Sequence, residues 1–97
     1  MCGIFGVISS SPVREEELGV LVKHAQQRGR DSSGLVTFTC DAYQIYRADY
    51  PIIRLLQEVR PQACHLVLGH SRLITNGLSD NQPVVRDGVV VLHNGIV

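Results

Sequence analysis

Cys2 is the residue whose type and position most directly indicate chemistry, because it follows the initiator Met1. Cysteine is small, so the cell's aminopeptidase should remove Met1 and leave Cys2 with a free α-amine. That amine has a reference pKa of about 7.7–8.0, and the thiol beside it one of about 8.5. A base that titrates near neutrality next to a nucleophile is the arrangement of an N-terminal nucleophile enzyme. Taken alone, Cys2 also fits an ordinary buried cysteine at the start of a strand.

Three further segments place polar side chains where backbone elements should end. The segment RGRDSSG at 28–34 indicates a tight loop, but it lacks the Lys-[Ser/Thr] pair of a phosphate loop. In GHSRLITNG at 69–77, Arg72 should follow a strand, where its guanidinium can hold a carboxylate through two parallel hydrogen bonds. In HNG at 93–95, the Asn94 amide and the Gly95 N–H are donors of the kind that form an oxyanion hole. Each segment on its own is equally typical of a cap, a turn or a surface arginine.

Hydrophobic periodicity predicts the elements that must position these residues. A buried strand should run over 3–8, because the stretch is apolar and partly β-branched. A helix should follow, with Ser11 as N-cap, Pro12 at its first position and Gly29 as its stop. Its core face is the stripe Leu18, Leu21, Val22 and Ala25.

The later elements predicted are strands at 35–40 and 43–47, a helix between Pro51 and Pro61, a strand at 64–68, and a hairpin of 84–86 with 89–92 around Asp87-Gly88. Strands outnumber helices and lie mostly in hairpins. This order predicts an α+β fold with a largely antiparallel sheet.

Composition excludes several classes of protein. The 97 residues can form one domain at most, and nine basic residues balance nine acidic ones, so there is no basic field for nucleic acid. No apolar run is long enough for a membrane span, and the first residues lack the positive region of a signal peptide. The three cysteines are odd in number and form no CxxC, which argues against a disulfide framework and a metal site and favours a cytoplasmic location.

Taken together and in this order, MCGIFGV, RGRDSSG, GHSRLIT with NQPV, and HNGI resemble the glutaminase domain of class II glutamine amidotransferases. The resemblance covers essentially the whole chain. HNG is similar to the glucosamine-6-phosphate synthases and amidophosphoribosyltransferases, whereas GHSRL and NQPV are closer to the asparagine synthetases. The family is an N-terminal nucleophile hydrolase class with a four-layer αββα sandwich. Residues 1–97 would be its first half, with the rest of the domain and the acceptor domain absent.

The resemblance implies that glutamine is hydrolysed to glutamate and ammonia without a cofactor or a metal. Cys2 would attack the side-chain amide, and its α-amine would move the proton to the leaving ammonia. Asn94 and the Gly95 N–H would hold the oxyanion. Arg72 would bind the α-carboxylate of glutamine, and Thr75 would line the same pocket.

Of the remaining positions, some have an expected structural role and others differ from the residues of the family. The resemblance implies that Arg28 and Asp31 brace the terminal strand. Leu73 and Asn76 stand where the glucosamine-6-phosphate synthases carry Trp and His. The family's acidic ligand for the α-amino group of glutamine has no counterpart in these residues. A separate synthetase domain would receive the ammonia, and the sequence leaves the acceptor open, together with the oligomeric state, a homo-oligomer included.

Two other functions remain open at this point. Other N-terminal cysteine hydrolases, such as bile-salt hydrolase relatives, also begin Met-Cys but lack the RG-x-D-x-x-G loop and HNG. A non-catalytic glutaminase-like module that binds or regulates a partner need not keep Cys2, Arg72, Asn94 and Gly95, all of which are present. Even so, the 97 residues are expected to be inactive alone, with the apolar face of 89–92 left without partners.

Overall fold

The computed structural model describes residues 2–27, 31–39, 41–61, 63–72 and 82–93. Within these ranges the chain forms strands and helices with the bounds β1 Cys2–Ile8, α1 Glu15–Gln26, β2 Ser32–Thr39, β3 Ala42–Ala48, α2 Ile52–Val59, β4 Leu66–Arg72, β5 Val84–Arg86 and β6 Val89–Val91. All pairings among the described strands are antiparallel. The predicted α+β class with a largely antiparallel sheet is therefore confirmed. No helix in the described ranges is long and apolar enough to cross a membrane.

The main sheet has the strand order β1-β4-β2-β3. The last of these strands in the chain, β4, lies between the first two, so residues distant in sequence become neighbours. Its final residue, Arg72, pairs with Cys2 of β1 on one side and with Ser32 of β2 on the other. The sheet thus places the start of the chain beside the end of β4.

Both helices pack on one face of this sheet. The α1 stripe points inward, since Leu18, Val22 and Ala25 are buried, and Leu21 packs against them. A Cβ at Gly3 would lie 2.4 Å from the carbonyl oxygen of Ala25, so α1 rests directly on β1. Burying one such leucine or valine stabilises the fold by roughly 1.5–3 kcal/mol. The helical stripe predicted from the sequence is confirmed.

The segment Gln82–Pro83 lies on the other face. Gly34 pairs with His70 and alternates with the helix-facing positions, so it belongs to the face away from the helices. A Cβ at Gly34 would lie 1.7 Å from the carbonyl oxygen of Gln82. Arg47 on β3 donates from Nε to the carbonyl oxygen of Pro83 at 2.7 Å. These contacts hold the base of the β5–β6 hairpin against the sheet.

The start of α1 differs from the prediction. The helix begins at Glu15 with extended Arg14 as its N-cap, and not at Ser11-Pro12. The reason is tertiary: the N–H of Val13 donates to the carbonyl oxygen of Cys64 at 2.7 Å, and the Val13 side chain is buried in the core. These contacts keep the segment extended although its local sequence favours a helix. The helix ends at Gln26, and the predicted stop at Gly29 lies outside the described residues.

The predicted strand 64–68 is also displaced. Strand β4 runs from Leu66 to Arg72, so Arg72 is the last residue of the strand and does not follow it. Ladders on both sides continue to Arg72 and bury His70 and Ser71 on the way. The pairing extends the strand through Gly69-His70-Ser71, which has low intrinsic strand propensity.

Both predicted hairpins form, but the first turn does not lie at Asp41-Ala42 as predicted, because Ala42 begins β3 and pairs with Thr39. Asp41 has φ +65° at the turn between β2 and β3, although β2 begins at Ser32, three residues before the predicted start. Asp87 and Gly88 have φ +52° and +76°. Positive φ at both central residues is the requirement of the type I′ turn that joins tight hairpins.

Candidate functional site

The end of β4 brings predicted site positions together. Cys2 begins β1 and pairs with Arg72, so the backbones of the predicted nucleophile and the predicted carboxylate ligand are direct neighbours. The N–H of Asp31 donates to the carbonyl oxygen of Arg72 at 2.8 Å. Arg72 is half-buried and Asp31 is exposed. The first residue of β1, the last residue of β4 and the residue before β2 therefore meet at one end of the sheet.

Four predicted site residues, Asn94, Gly95, Thr75 and Arg28, lie outside the described residues. The two departures from the family, Leu73 and Asn76, lie there too. Their roles stay predictions. The last described segment ends at His93, one residue before Asn94. The His93 backbone is hydrogen-bonded to two other side chains.

His70 is the first residue that holds His93. Its side chain is fully buried on β4, and its Nε2 lies 3.1 Å from the carbonyl oxygen of His93. Because a carbonyl oxygen only accepts, Nε2 must carry the proton and donate it. Nδ1 is buried and has no hydrogen-bond partner among the described residues. His70 thus reaches His93 across 23 positions of the sequence.

Burial lowers the pKa of His70 below its ordinary value. The hydrogen bond to the His93 carbonyl opposes this shift, and the nearby charges of Arg72 and His93 add to it. The imidazole is therefore neutral near pH 7 and acts as a hydrogen-bond donor at Nε2, not as a cation beside Arg72.

Gln82 is the second residue that holds His93. Its Oε1 accepts from the His93 N–H at 2.5 Å, and its Nε2 donates to the His93 carbonyl oxygen at 3.1 Å. The His93 carbonyl oxygen therefore accepts from both His70 and Gln82. The sequence alone gives neither residue a role. Gln82 stands in the NQPV segment that carried the resemblance, which was the one available signal.

The described residues offer no metal centre. Within the ranges that the structure describes, no group of three or more histidine, cysteine, aspartate or glutamate side chains lies close enough to hold an ion. The end of β4 carries Arg72, whose backbone pairs with Cys2, the first residue of β1. Two residues earlier on the same face of β4, His70 forms a hydrogen-bonded cluster with Gln82 and the His93 backbone.

Relatives among curated proteins match the whole chain. It is 34% identical over 102 aligned residues to a glutamine–fructose-6-phosphate aminotransferase (isomerizing) of Rhizobium meliloti (strain 1021). The enzyme of the same description from Agrobacterium fabrum (strain C58) is 35% identical, and one from Bradyrhizobium diazoefficiens is 33% identical. Each alignment covers 100% of this chain and 17% of the relative. No protein-family model and no solved structure matches.

These alignments relate the chain to the glutamine amidotransferases. More narrowly, it is homologous over its full length to the glucosamine-6-phosphate synthases, whose N-terminal part is a class II glutamine amidotransferase domain. It spans about one sixth of the length of these relatives.

Proposed function

We propose that these residues are the N-terminal part of a glutaminase domain, which hydrolyses the side-chain amide of L-glutamine to glutamate and ammonia. The observation that carries the proposal is the register of β1 on β4, which pairs Cys2 with Arg72. Paired residues of antiparallel strands have Cα atoms about 4.5–5.5 Å apart. Glutamine has its α-carboxylate at one end and its amide at the other, so one molecule can engage both positions.

In the proposed reaction the Cys2 sulfur attacks the amide carbon after giving its proton to the α-amine. The tetrahedral intermediate places negative charge on the former carbonyl oxygen, which Asn94 and the Gly95 N–H stabilise. The proton passes to the leaving nitrogen, ammonia departs, and a glutamyl thioester remains. Water then hydrolyses the thioester, releases glutamate and restores the thiol. Arg72 holds the α-carboxylate throughout.

The ammonia would pass to an acceptor bound by a domain outside these residues. The names of the relatives give fructose 6-phosphate as their acceptor, which makes a sugar phosphate the first acceptor to assay. The free thiol that the mechanism needs is compatible with the reducing cytosol predicted from the cysteine count. Support from Arg28 and Asp31, and pocket lining by Thr75, remain part of the same proposal.

The test is substitution of Cys2 in the full-length protein. Cys2→Ala should abolish glutamine-dependent turnover and spare turnover with free ammonia, because only the ammonia source is lost. Cys2→Ser should be severely impaired, because a hydroxyl ionises far less readily than a thiol. Cys64→Ser is the matched control, since this cysteine is buried beside Thr39, with 3.0 Å between Sγ and Oγ1, away from the site.

Three results would count against the proposal. Equal loss of both activities in Cys2→Ala would make Cys2 structural. Loss of activity in Cys64→Ser with full activity in Cys2→Ala would place the nucleophile elsewhere. A wild-type protein that releases no glutamate from glutamine would favour the non-catalytic module.

A further inference from the structure

The two bonds that His93 makes through its carbonyl oxygen bear on the residues that follow it. That carbonyl belongs to the peptide unit joining His93 to Asn94, and a peptide unit is planar. Two donors, His70 Nε2 and Gln82 Nε2, each at 3.1 Å, therefore hold this peptide unit at its His93 carbonyl oxygen. The next two residues are the proposed oxyanion donors.

Gln82 is itself fixed to the sheet. Its backbone carbonyl lies against Gly34 of β2, where there is no room for a Cβ. The carbonyl of the next residue, Pro83, accepts from Arg47 of β3 at 2.7 Å. His93 is thus connected to the sheet through Gln82. The Gln82 backbone lies in close contact with Gly34, and its half-buried side chain binds the His93 backbone.

The carboxamide is the group that these bonds require. At one end of a two-carbon stem it offers an acceptor to the His93 N–H and a donor to the His93 carbonyl oxygen. Glutamate has the same size but, when ionised, cannot donate, so its second oxygen would face the carbonyl oxygen. Alanine provides neither bond.

We propose that Gln82 is a positioning residue for glutamine hydrolysis: it holds the His93 backbone, which directly precedes the proposed oxyanion donors Asn94 and the Gly95 N–H. His70 assists from β4 by donating to the same carbonyl oxygen. The inference rests on the proposed glutaminase function. It adds a residue that acts through the backbone and does not touch glutamine.

The experiment measures glutamine hydrolysis by the full-length protein with Gln82→Ala, Gln82→Glu and the control Gln57→Ala. Gln57 is an exposed glutamine on α2, and its side chain takes part in none of these contacts. We expect kcat to fall about 10–100-fold in both Gln82 variants, the scale of a small misplacement of catalytic groups. KM should change less than about threefold, because oxyanion donors act mainly in the transition state. Gln57→Ala should match the wild type.

A second measurement separates positioning from general damage. Alkylation of Cys2 by iodoacetamide displaces iodide at a saturated carbon and creates no oxyanion, so its rate should be unchanged in the Gln82 variants. Amide hydrogen exchange at His93 should accelerate in Gln82→Ala, because the acceptor of its N–H is gone.

The outcomes distinguish this inference from the proposed function. An active wild type whose Gln82→Ala and Gln82→Glu variants keep full kcat would overturn the role of Gln82 and leave the glutaminase intact. Equal losses in hydrolysis and alkylation would also overturn it, since Gln82 would then support the fold or Cys2 generally. A wild type without glutaminase activity would remove the proposed function, and the inference with it.

Discussion

Gly34 provides the most direct test of how the Gln82–Pro83 segment is held. In Gly34→Ala the new Cβ would lie 1.7 Å from the Gln82 carbonyl oxygen, 2.5 Å from its carbonyl carbon and 2.6 Å from Pro83 Cδ. Ordinary non-bonded separations are about 3.5–4 Å, so the segment must move by roughly 2 Å. The obstacle is backbone, so no rotamer change can relieve it. Overpacking of this kind costs about 1–3 kcal/mol.

That displacement should loosen the segment more than the sheet. Arg47 would lose its 2.7 Å bond to the Pro83 carbonyl, and the Gln82 side chain would move away from His93. A local cost of about 1–3 kcal/mol corresponds to roughly 5–150-fold faster amide exchange in peptides covering 82–93. Peptides from β1 and β4 should exchange as in the wild type. In the full-length protein, kcat for glutamine should fall as in Gln82→Ala.

The matched control is Gly19→Ala. Gly19 lies in α1, where a Cβ would have no neighbour within 4 Å. Alanine in a helix interior is favoured over glycine by about 0.5–1 kcal/mol, so this variant should be neutral or slightly more stable. If Gly34→Ala showed wild-type exchange over 82–93 together with wild-type kcat, the contact between this segment and β2 would not exist in solution, and the reasoning would be refuted.

Two further predictions concern the end of β4. Arg72→Lys should raise KM for glutamine with a smaller change in kcat, because an ammonium cannot reproduce the two-pronged contact of a guanidinium, and steady-state kinetics with an unchanged KM would remove Arg72 from the pocket. The lowered pKa of buried His70 means that below its ordinary value of 6.5 the unfolded chain binds a proton that the folded chain does not. The unfolding free energy should therefore fall as pH drops below about 6.5, by at most about 1.4 kcal/mol per pH unit from this group. In urea titrations His70→Gln should lack that component, and an identical pH dependence in both proteins would contradict the assignment.

Local patterns are sufficient where short-range physics decides the structure. The α1 stripe of Leu18, Val22 and Ala25 repeats at the helical period, and that spacing alone predicts which face of the helix is buried. Asp87-Gly88 predicts its hairpin because few residues adopt positive φ at both turn positions. Neither prediction needs information from elsewhere in the chain.

The wrong predictions concern elements whose bounds are determined by contacts with distant segments of the chain. The Ser11-Pro12 signal for a helix start is sound locally, but the bond from Val13 to Cys64 keeps that stretch extended. The end of β4 depends on two neighbouring strands, and its register with β1 joins positions 70 residues apart. The hydrophobic periodicity of the sequence does not predict that register.

The site shows the same division. The resemblance predicts site roles for Cys2 and Arg72 from residue type and order, and the structure pairs their backbones. Gln82 and His70 were missed because their partner is the backbone of His93, and any sequence provides backbone groups at every position. Residues that act on backbone become visible only after the chain has folded.

The β5–β6 hairpin shows why that positioning matters here. Its valines are largely exposed, Val84 at 51% and Val89 at 58% among them, so packing of its strands contributes little within the described part of the chain. An isolated two-stranded hairpin is marginal in water. Its base is fixed by the packing of Gln82 and Pro83 on Gly34 and by polar contacts: Arg47 on Pro83 before β5, and Gln82 with His70 on His93 after β6. The position of His93, the residue before Asn94, can therefore be set by these few contacts with the main sheet, whether or not other segments cover the valines.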